Sequence, residues 1–467
     1  MKTRVISPVL SLPHYLFVVA LAACMAACPV EAQPGEVLAR QVVAESGFQG
    51  GLIVVVGGRD ADLAVSLGKA PNVLVRWLVR DGAGLADTRR KIRDAGVYGR
   101  VSAAAWEGDL LPYTDGMVNL LVLQEGQGLD VSRSEAARVL APMGVAVRSC
   151  DGIRAASYYS KPWPEDVDDW THSRRDANGN AVSKDRRAGP PRFTQWEALP
   201  RWNRGTKTSA LVSAKGRLFY ILDDSHFASD TRTWSLIARD AHNGIRLWRH
   251  ELPSWGGAGL NKKVGPAQIN RRLVAIGDRV YTTLGDGAPV SVLDAASGKV
   301  IRVLDGTEKA EEFLVSEGIL VALVNASDIG DFWRRLNRDM RIVAVKPDTG
   351  KILWEHEADT VLPMTLTADG GQVVYHDGKS VRSLDLRTGS PRWTSPPTGQ
   401  AIMLRGSWNP DSPGAQKSKI ILAPQFAPTV VMYGGVVAFA GGRQLNVLSA
   451  ADGRELWRTP YAATNYS

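Results

Sequence analysis

Two patterns in the sequence predict a multidomain chain, with an N-terminal α/β domain built on a Rossmann-like, doubly wound sheet and an all-β propeller after it. Strand and helix signals alternate over residues 34–150, and one turn motif recurs five times over residues 206–467. A chain of 467 residues is long enough for more than one cored unit. Its 46 glycines and 14 tryptophans suit a region of short strands and tight turns.

The composition excludes several classes of protein. With 44% hydrophobic and 22% charged residues, the chain can bury cores and is neither a polytopic membrane protein nor a disordered one. The formal net charge of +8 is mild, and no compact basic run is interleaved with stacking aromatic residues. We therefore expect no nucleic-acid partner.

Residues 1–33 have the pattern of a secretory signal. Lys2 and Arg4 precede an apolar stretch from Val9 to Ala27 that contains a proline and ends in small residues. We therefore expect the protein to be exported to the periplasm or cell envelope.

Two processing routes remain open for this segment. The residues before Cys24 are Leu-Ala-Ala, which resembles the lipobox of bacterial lipoproteins and would anchor the chain in a membrane through a lipidated cysteine. Cleavage after Ala32 would instead release a soluble protein. Of the three cysteines only Cys150 lies beyond this segment, so ordinary cleavage excludes a structural disulfide.

The α/β domain is predicted from apolar runs that alternate with helical patterns. The predicted strands are Leu52–Val56, Val73–Val79, Val97–Ala105, Val118–Leu123 and Val145–Val147. The predicted helices are Ala61–Leu67, Leu85–Ala95 and Ser132–Leu140. Because parallel strands need crossover connections, this alternation predicts a parallel sheet covered by helices.

The segment from Gly108 to Gly116, Gly-Asp-Leu-Leu-Pro-Tyr-Thr-Asp-Gly, resembles the stretch between strands three and four of class I S-adenosylmethionine-dependent methyltransferases. The resemblance implies that Asp109 meets the adenine amine of S-adenosylmethionine (SAM) and that Leu110 lies beside the adenine ring. It implies that Asp81 binds the ribose hydroxyls. It also implies that the backbone at Gly57 and Gly58 approaches the methionine part of the cofactor.

The sequence departs from that family in two places. Arg59 and Asp60 stand where small residues are expected, and Asn119 replaces a common acidic residue of the fourth strand. No recognisable catalytic set follows that strand. We therefore predict a degenerate methyltransferase-like domain, and binding of SAM without catalysis remains open.

Residues 151–205 form a predicted loop-rich connector, because prolines and Asn-Gly turns occur there without apolar periodicity. Four tryptophans indicate that the connector packs onto another part of the chain: Trp163, Trp170, Trp196 and Trp202. A group of acids and one amide lacks the spacing of an EF-hand and is expected to be a solvated loop: Asp166, Asp168, Asp169, Asp176 and Asn178. His172 has no partner at metal-ligand spacing, and we expect it at the surface or at a cap.

Residues 206–467 contain a repeat that decides the predicted architecture. Five times a short apolar strand precedes a turn similar to Asp-x-x-Thr-Gly, and a tryptophan usually stands four residues after the glycine. The pairs are Gly244 with Trp248, Gly298 with Arg302, Gly350 with Trp354, Gly389 with Trp393, and Gly453 with Trp457. The spacing of the glycines fits one four-stranded blade per repeat.

Each repeat position has a structural role. The glycine adopts a positive φ in the turn, and the tryptophan is expected to lie flat between neighbouring blades. The repeats resemble the pyrroloquinoline quinone (PQQ) repeats of bacterial quinoprotein dehydrogenases and of the propeller lipoprotein of the outer-membrane barrel-assembly machinery. With the signal, the α/β domain and the connector, the chain resembles exported bacterial PQQ-like repeat proteins. Because only Arg458 to Ser467 follow Trp457, we expect the propeller to be incomplete.

The resemblance to the repeat does not bring quinoprotein chemistry with it. Those enzymes use a vicinal Cys-Cys ring and a calcium site of Glu, Asn and Asp, whereas residues 206–467 contain no cysteine. The histidines of this region are scattered over separate blades or turns, so we expect no metal site and name no catalytic residue.

The sequence therefore favours a non-enzymatic binding or scaffolding protein over an enzyme. Its unknown partner, a protein or a small molecule, would bind a face of the propeller. A SAM-dependent methyltransferase and a PQQ-dependent dehydrogenase remain the alternatives, with SAM or PQQ as a cofactor by resemblance alone.

Overall fold

The α/β part of the molecule is built on one six-stranded sheet. The computed structural model describes residues 34–58, 61–80, 82–124, 131–150, 154–190, 193–198, 207–223, 233–253, 255, 268–325, 340–398, 429–441 and 444–460. These residues belong to one compact unit that begins at Pro34. No helix in these ranges has both the length and the apolarity of a membrane span.

The sheet has the strand order β3-β2-β1-β4-β5-β6, with β1 to β5 parallel and β6 antiparallel to β5. Its strands are β1 (Gly51–Val56), β2 (Val73–Val79), β3 (Val101–Ala105), β4 (Val118–Gln124), β5 (Leu140–Cys150) and β6 (Arg154–Ser160). The helices are α1 (Pro34–Ser46), α2 (Asp62–Leu67), α3 (Leu85–Asp94) and α4 (Arg133–Val139). This order confirms the predicted doubly wound α/β fold.

Strand β1 is buried on both faces, as a parallel sheet between helices requires. Ile53 and Val55 pack in one core with α1, α2 and α3. Val54 and Val56 pack in a second core with α4. The continuous apolar run of β1 therefore fills two cores at once.

The α/β part contains one helix and one strand that the sequence does not predict. Helix α1 precedes β1 and buries Leu38 and Val42. Strand β6 lies beyond the expected boundary at Cys150 and pairs with β5 as an antiparallel edge strand. The sheet therefore continues to Ser160.

The rest of the described chain forms five four-stranded antiparallel sheets, which confirms the predicted series of blades. Blade 1 has β7 (Lys207–Ala214), β8 (Arg217–Asp223), β9 (Thr233–Asp240) and β10 (Arg246–Pro253). Blade 2 has β11 (Leu273–Ile276), β12 (Arg279–Thr283), β13 (Val290–Asp294) and β14 (Val300–Leu304). Blade 3 has β15 (Ala310–Ser316), β16 (Ile319–Asn325), β17 (Met340–Lys346) and β18 (Lys351–Ala358). Blade 4 has β19 (Thr367–Asp369), β20 (Gln372–His376), β21 (Val381–Asp385) and β22 (Pro391–Thr394), and blade 5 has β23 (Thr429–Tyr433), β24 (Val436–Gly441), β25 (Gln444–Ser449) and β26 (Glu455–Pro460).

The blades repeat one another in detail. The first strands of successive blades lie side by side and surround the axis of the propeller. In all five blades the pairing of the third and fourth strands shifts register just after the turn, beside the position of the repeat tryptophan. Such a bulge bends the outer strand and aims its side chains.

Candidate functional site

The carboxyl end of the parallel sheet is where a doubly wound fold binds nucleotides, at the point where the strand order reverses. Here that point lies between β1 and β4. Gly57 and Gly58 follow β1 and have φ values of +82° and +86°. Glycine adopts this conformation without steric strain.

Both glycines are engaged by side chains of the protein itself. The Trp77 indole N–H donates to the Gly57 carbonyl at 2.6 Å. A Cβ atom on Gly58 would clash with Oε1 of Gln124, the last residue of β4. The Gln124 side chain therefore lies directly against the Gly58 backbone, and its Oε1 is buried. Because Gly58 has no Cβ atom, the Gln124 side chain can approach its backbone this closely.

Asp109 and Leu110 lie on the loop after β3, at the same edge of the sheet as the two glycines. The Trp106 indole donates to the Leu110 carbonyl at 2.9 Å, and the Leu111 amide donates to Glu135 of α4 at 2.6 Å. The Leu110 side chain itself is 67% exposed. Asp81, Arg59 and Asp60 lie outside the described residues.

One described contact does not fit SAM bound as the methyltransferase resemblance implies. The resemblance brings the methionine part of SAM to the backbone at Gly57 and Gly58, and the Gln124 side chain already lies against Gly58 there. We therefore derive no methyl-transfer step at this edge of the sheet.

A cleft of about 380 Å³ lies at the opposite, amino end of the sheet, against the first two blades. Its walls include residues 46–50, the turn at 142–145 and the blade turn at 215–217. Sequence reasoning does not find this cleft, because its walls come from segments that are far apart in the chain.

Asn119 joins the sheet to blade 1 at this cleft. Its Nδ2 donates to Asp240 at 2.7 Å, and its Oδ1 accepts from the Leu52 amide at 2.8 Å and from Asn243 Nδ2 at 2.7 Å. Asn243 also donates to the Met117 carbonyl at 3.0 Å. An acid in place of Asn119 would face the carboxylate of Asp240. The amide is therefore required by the contact with the propeller, and its place is remote from the cofactor edge.

Other polar groups of the cleft also pair with one another. Asp278 accepts from Lys215 at 2.6 Å and from Arg217 at 3.2 Å, and Arg217 donates to Gln49 at 2.7 Å. Burial lowers the pKa of His242, although the nearby Asp240 opposes the shift, so the imidazole is neutral at neutral pH. These contacts fix the α/β part on the first two blades.

The connector occupies one end of the propeller axis. Residues 170–178 accept one hydrogen bond from the first strand of every blade. The donors are the amides of Ser213, Ala275, Val315, Ala368 and Met432, and the distances are 2.8–3.1 Å. The inner strands thus find their hydrogen-bond partners in the protein's own connector.

The structure corrects the expectation that His172 lies at the surface. His172 is 6% exposed, and its Nε2 accepts from the Val315 amide at 3.1 Å. Burial and the neighbouring Arg271 lower the pKa of His172 to about 3. The imidazole is therefore a neutral acceptor that ties the connector to blade 3.

The acidic connector residues are paired, whereas the sequence predicted a solvated loop. Arg175, 8% exposed, donates to Asp168 at 2.6 Å and also binds Asp176. Burial alone would raise the pKa of Asp168, but hydrogen bonds from Arg175, the Lys184 amide and a serine lower it to about 2. Asp168 and Asp176 therefore hold the connector together through their contacts with Arg175.

Two buried carboxylates lie near the axis at the start of β15. Glu312 accepts from Arg271 at 3.1 Å and from the Met364 amide at 3.2 Å. Glu311 accepts from Gln268 at 3.1 Å and from Asn325 at 2.8 Å. Burial raises the pKa of Glu312, and Arg271 opposes the shift. In the part of the chain that the structure describes, no three His, Cys, Asp or Glu residues are grouped to hold a metal ion. Both carboxylates are thus bound to donors of the protein itself, and we derive no step through PQQ.

The repeat tryptophans lie between neighbouring blades. Trp248, Trp354 and Trp393 each cover the turn glycine of the next blade, where a Cβ atom would clash with the ring. The covered glycines are Gly298, Gly389 and Gly453, with φ of +71° to +73°. Each indole N–H donates to a carbonyl of that turn at 2.9 Å. The contact therefore combines ring burial with one specific hydrogen bond.

Three positions depart from this rule. The connector residue Trp196 covers Gly244 of blade 1 and donates to the Ala241 carbonyl at 2.9 Å, so it acts as a further docking tryptophan. Arg302 of blade 2 replaces the ring and approaches Gly350 with its flexible side chain. Trp457 of blade 5 is 50% exposed.

Comparison with solved structures gives matches of low identity and low TM-score. Over about a quarter of its length the chain is similar to a protein from Methanococcus maripaludis assigned as a SAM-dependent methyltransferase, with 18% identity, a TM-score of 0.23, and coverage of 25% of this chain and 55% of that one. Geranyl diphosphate C-methyltransferase from Streptomyces coelicolor A3(2) matches with 19% identity and a TM-score of 0.22, and the match covers 24% of this chain and 42% of that one. KlHsv2 with loop 6CD replaced by a Gly-Ser linker matches with 11% identity and a TM-score of 0.32, and the match covers 53% of this chain and 64% of that one. The chain thus spans about half the length of these methyltransferases, and TM-scores this low carry no argument about function.

In sequence, no curated protein matches the chain. The family model described as "Outer membrane protein assembly factor BamB" matches residues 232–402 and, overlapping them, residues 332–467. Together the two matches span half of the chain. They include blades 2 to 5 and the last two strands of blade 1. The protein therefore belongs to the PQQ-repeat family of outer membrane protein assembly factor BamB.

Proposed function

We propose that this protein is exported to the cell envelope and binds or scaffolds another protein through the outer strands of its propeller. The observation that carries the proposal is an exposed apolar edge on blade 2. Val300, Ile301 and Val303 of β14 are 45–47% exposed, and Ile352 of the next blade is 37% exposed. Apolar strand edges in natural proteins are usually covered or interrupted by charges.

The edge of β14 suits a protein partner better than a small molecule. β14 is the last strand of its sheet, so one side of its backbone has no neighbouring strand within that sheet. An extended segment of a partner could pair with that backbone and cover the apolar side chains. Arg302 of β14 stands in the place of the usual docking tryptophan and approaches Gly350 of blade 3 with its flexible side chain.

The family and the N-terminal segment support an envelope location. The family model is described by an outer membrane protein assembly factor. Residues 1–33 have the pattern of a secretory signal. In this proposal the α/β part is a fixed attachment, held on blade 1 by Asn119 and Asp240.

Two observations count against the enzymatic alternatives. At the edge of the sheet where SAM would bind, the Gln124 side chain lies against the backbone of Gly58. The propeller axis is occupied at one end by the connector, and the acids near it are bound to protein donors.

The proposal is tested by photocrosslinking in cells. A photoreactive amino acid at Val303 should give one discrete adduct with an envelope protein, and the same probe at Glu357, an exposed residue on the outer strand of blade 3, should give none. Ile301→Lys should abolish the adduct without unfolding the chain, because Ile301 is 47% exposed. Equal adducts at both positions, or none at Val303, would contradict the proposal.

A further inference from the structure

The cleft of about 380 Å³ between the α/β part and the first two blades has a charged side and an apolar side. A volume of this size lies at the lower end of the range in which proteins bind small molecules. The charged side comes from the blade turn at 215–217 and from Asp278 of blade 2, and the apolar side comes from Phe48, Met143 and Leu247. This division suits a ligand with one charged end and one apolar end.

The charged side carries alternating charges that are open to solvent. Asp278 accepts from Lys215 at 2.6 Å and from Arg217 at 3.2 Å. The side chains of Lys215 and Asp278 are 45% and 50% exposed, so both ends of this ion pair can meet a ligand. Asp240 is 6% exposed, and His242 is neutral because burial lowers its pKa, so neither changes this pattern.

The pattern of charges selects the kind of ligand. A simple anion in the cleft is repelled by Asp278, and a simple cation is repelled by Lys215 and Arg217. A zwitterion avoids both repulsions, because its carboxylate can face Lys215 while its ammonium faces Asp278. The α-amino acid is the small zwitterion that also carries an apolar group on the same carbon.

Met143 forms part of the apolar side at a cost in backbone strain. Its φ of +67° lies in the left-handed region, where glycine fits without the strain that a longer side chain brings. Met143 is 55% exposed, so the core gains little packing from it in return. Strained positions of this kind cluster at ligand-binding sites, and methionine adapts its shape to apolar ligands. Met143 is therefore suited to contact the apolar group of the ligand.

We propose that this cleft binds a free amino acid with an apolar side chain. The carboxylate of the ligand lies against Lys215, its ammonium lies against Asp278, and its side chain packs on Met143 and Phe48. SAM differs from such a ligand, because its sulfonium puts a further charge on the apolar side. The inference goes beyond the proposed function. The lining of the cleft includes no residue of the described strand β14, so the two proposals can fail independently.

Isothermal titration calorimetry of the full chain with L-leucine tests the inference. Two analogues serve as matched control ligands: L-leucinamide lacks the carboxylate charge, and N-acetyl-L-leucine lacks the ammonium charge. We expect saturable binding of leucine and at least tenfold weaker binding of each analogue. No saturable binding of leucine, or equal binding of leucine and either analogue, would overturn the inference.

Variants of the cleft test the assigned contacts. Asp278→Asn should weaken leucine binding at least tenfold, whereas Asp348→Asn, which changes an exposed acid in a turn of blade 3, should leave the affinity unchanged. Met143→Gly should also weaken leucine binding, and it should not lower the urea unfolding midpoint, because glycine removes the strain at this φ. A lower midpoint for Met143→Gly, or an unchanged affinity in either cleft variant, would contradict the assignment.

Discussion

Replacing a turn glycine by alanine should cost more under a docked tryptophan than under an arginine. Gly389 and Gly350 have similar φ values of +71° and +75°, so both substitutions introduce the same backbone strain. A Cβ atom on Gly389 would lie 2.6–2.8 Å from three ring atoms of the buried Trp354. A Cβ atom on Gly350 would lie 3.3 Å from the flexible Arg302.

The magnitudes follow from two terms. A positive φ costs an alanine about 1–2 kcal/mol. Overpacking against a ring that cannot move adds about 1–3 kcal/mol. We therefore expect about 1–2 kcal/mol for Gly350→Ala and about 2–5 kcal/mol for Gly389→Ala. The exposed control Lys351→Ala should change the free energy of unfolding by less than about 0.5 kcal/mol.

Urea unfolding midpoints of the full chain measure these differences, provided that the slopes of the transitions agree. A double-mutant cycle isolates the ring: with Trp354→Ala in place, Gly389→Ala should cost only the φ term. Equal costs at the two glycines, or a cost at Gly389 that does not change when Trp354 is truncated, would refute the docking account.

Three further predictions follow from other contacts. Asn119→Asp places a carboxylate 2.7 Å from Asp240, so we expect limited proteolysis to separate the α/β part from the propeller at lower denaturant than in the parent protein; unchanged cleavage would contradict the docking role. Because burial lowers the pKa of His172 to about 3, the folded state binds its proton more weakly than the unfolded chain; its contribution to stability is complete above about pH 6.5 and is lost as the pH falls towards 3. His172→Gln should therefore flatten the fall in unfolding free energy between pH 6 and 4 by about 1.4 kcal/mol per pH unit, and an unchanged slope would count against it. The intact mass of the envelope form should begin either at a lipidated Cys24 or after Ala32, and a cytoplasmic form that begins at Met1 would contradict export.

Much of the fold follows from the sequence, because local patterns determine it. The apolar run at Val73–Val79 and the helical pattern after Leu85 correspond to β2 and α3 nearly residue for residue. The repeat places the strands and turns of the blades. Strand β6 was not predicted because its sequence, Arg-Ala-Ala-Ser-Tyr-Tyr-Ser, contains no apolar run and pairs only as an antiparallel edge.

The candidate site could be predicted only in part, because its decisive contacts join residues distant in sequence. The two glycines after β1 were found from their pattern, but nothing local indicates that Gln124 would lie on Gly58. Asn119 stands where the methyltransferase family commonly has an acid. The amide is explained by its hydrogen bond to the Asp240 carboxylate, a contact that forms only in the folded chain. The burial of His172 likewise depends on an amide of blade 3.

The most direct test of the central claim, that this chain binds a protein and not a cofactor, is isothermal titration calorimetry of the full protein with SAM and, separately, with PQQ and calcium. Because Gln124 covers Gly58 and the connector occupies one end of the axis, we predict no saturable heat from either ligand. A micromolar dissociation constant for either one, about −8 kcal/mol, would contradict the account.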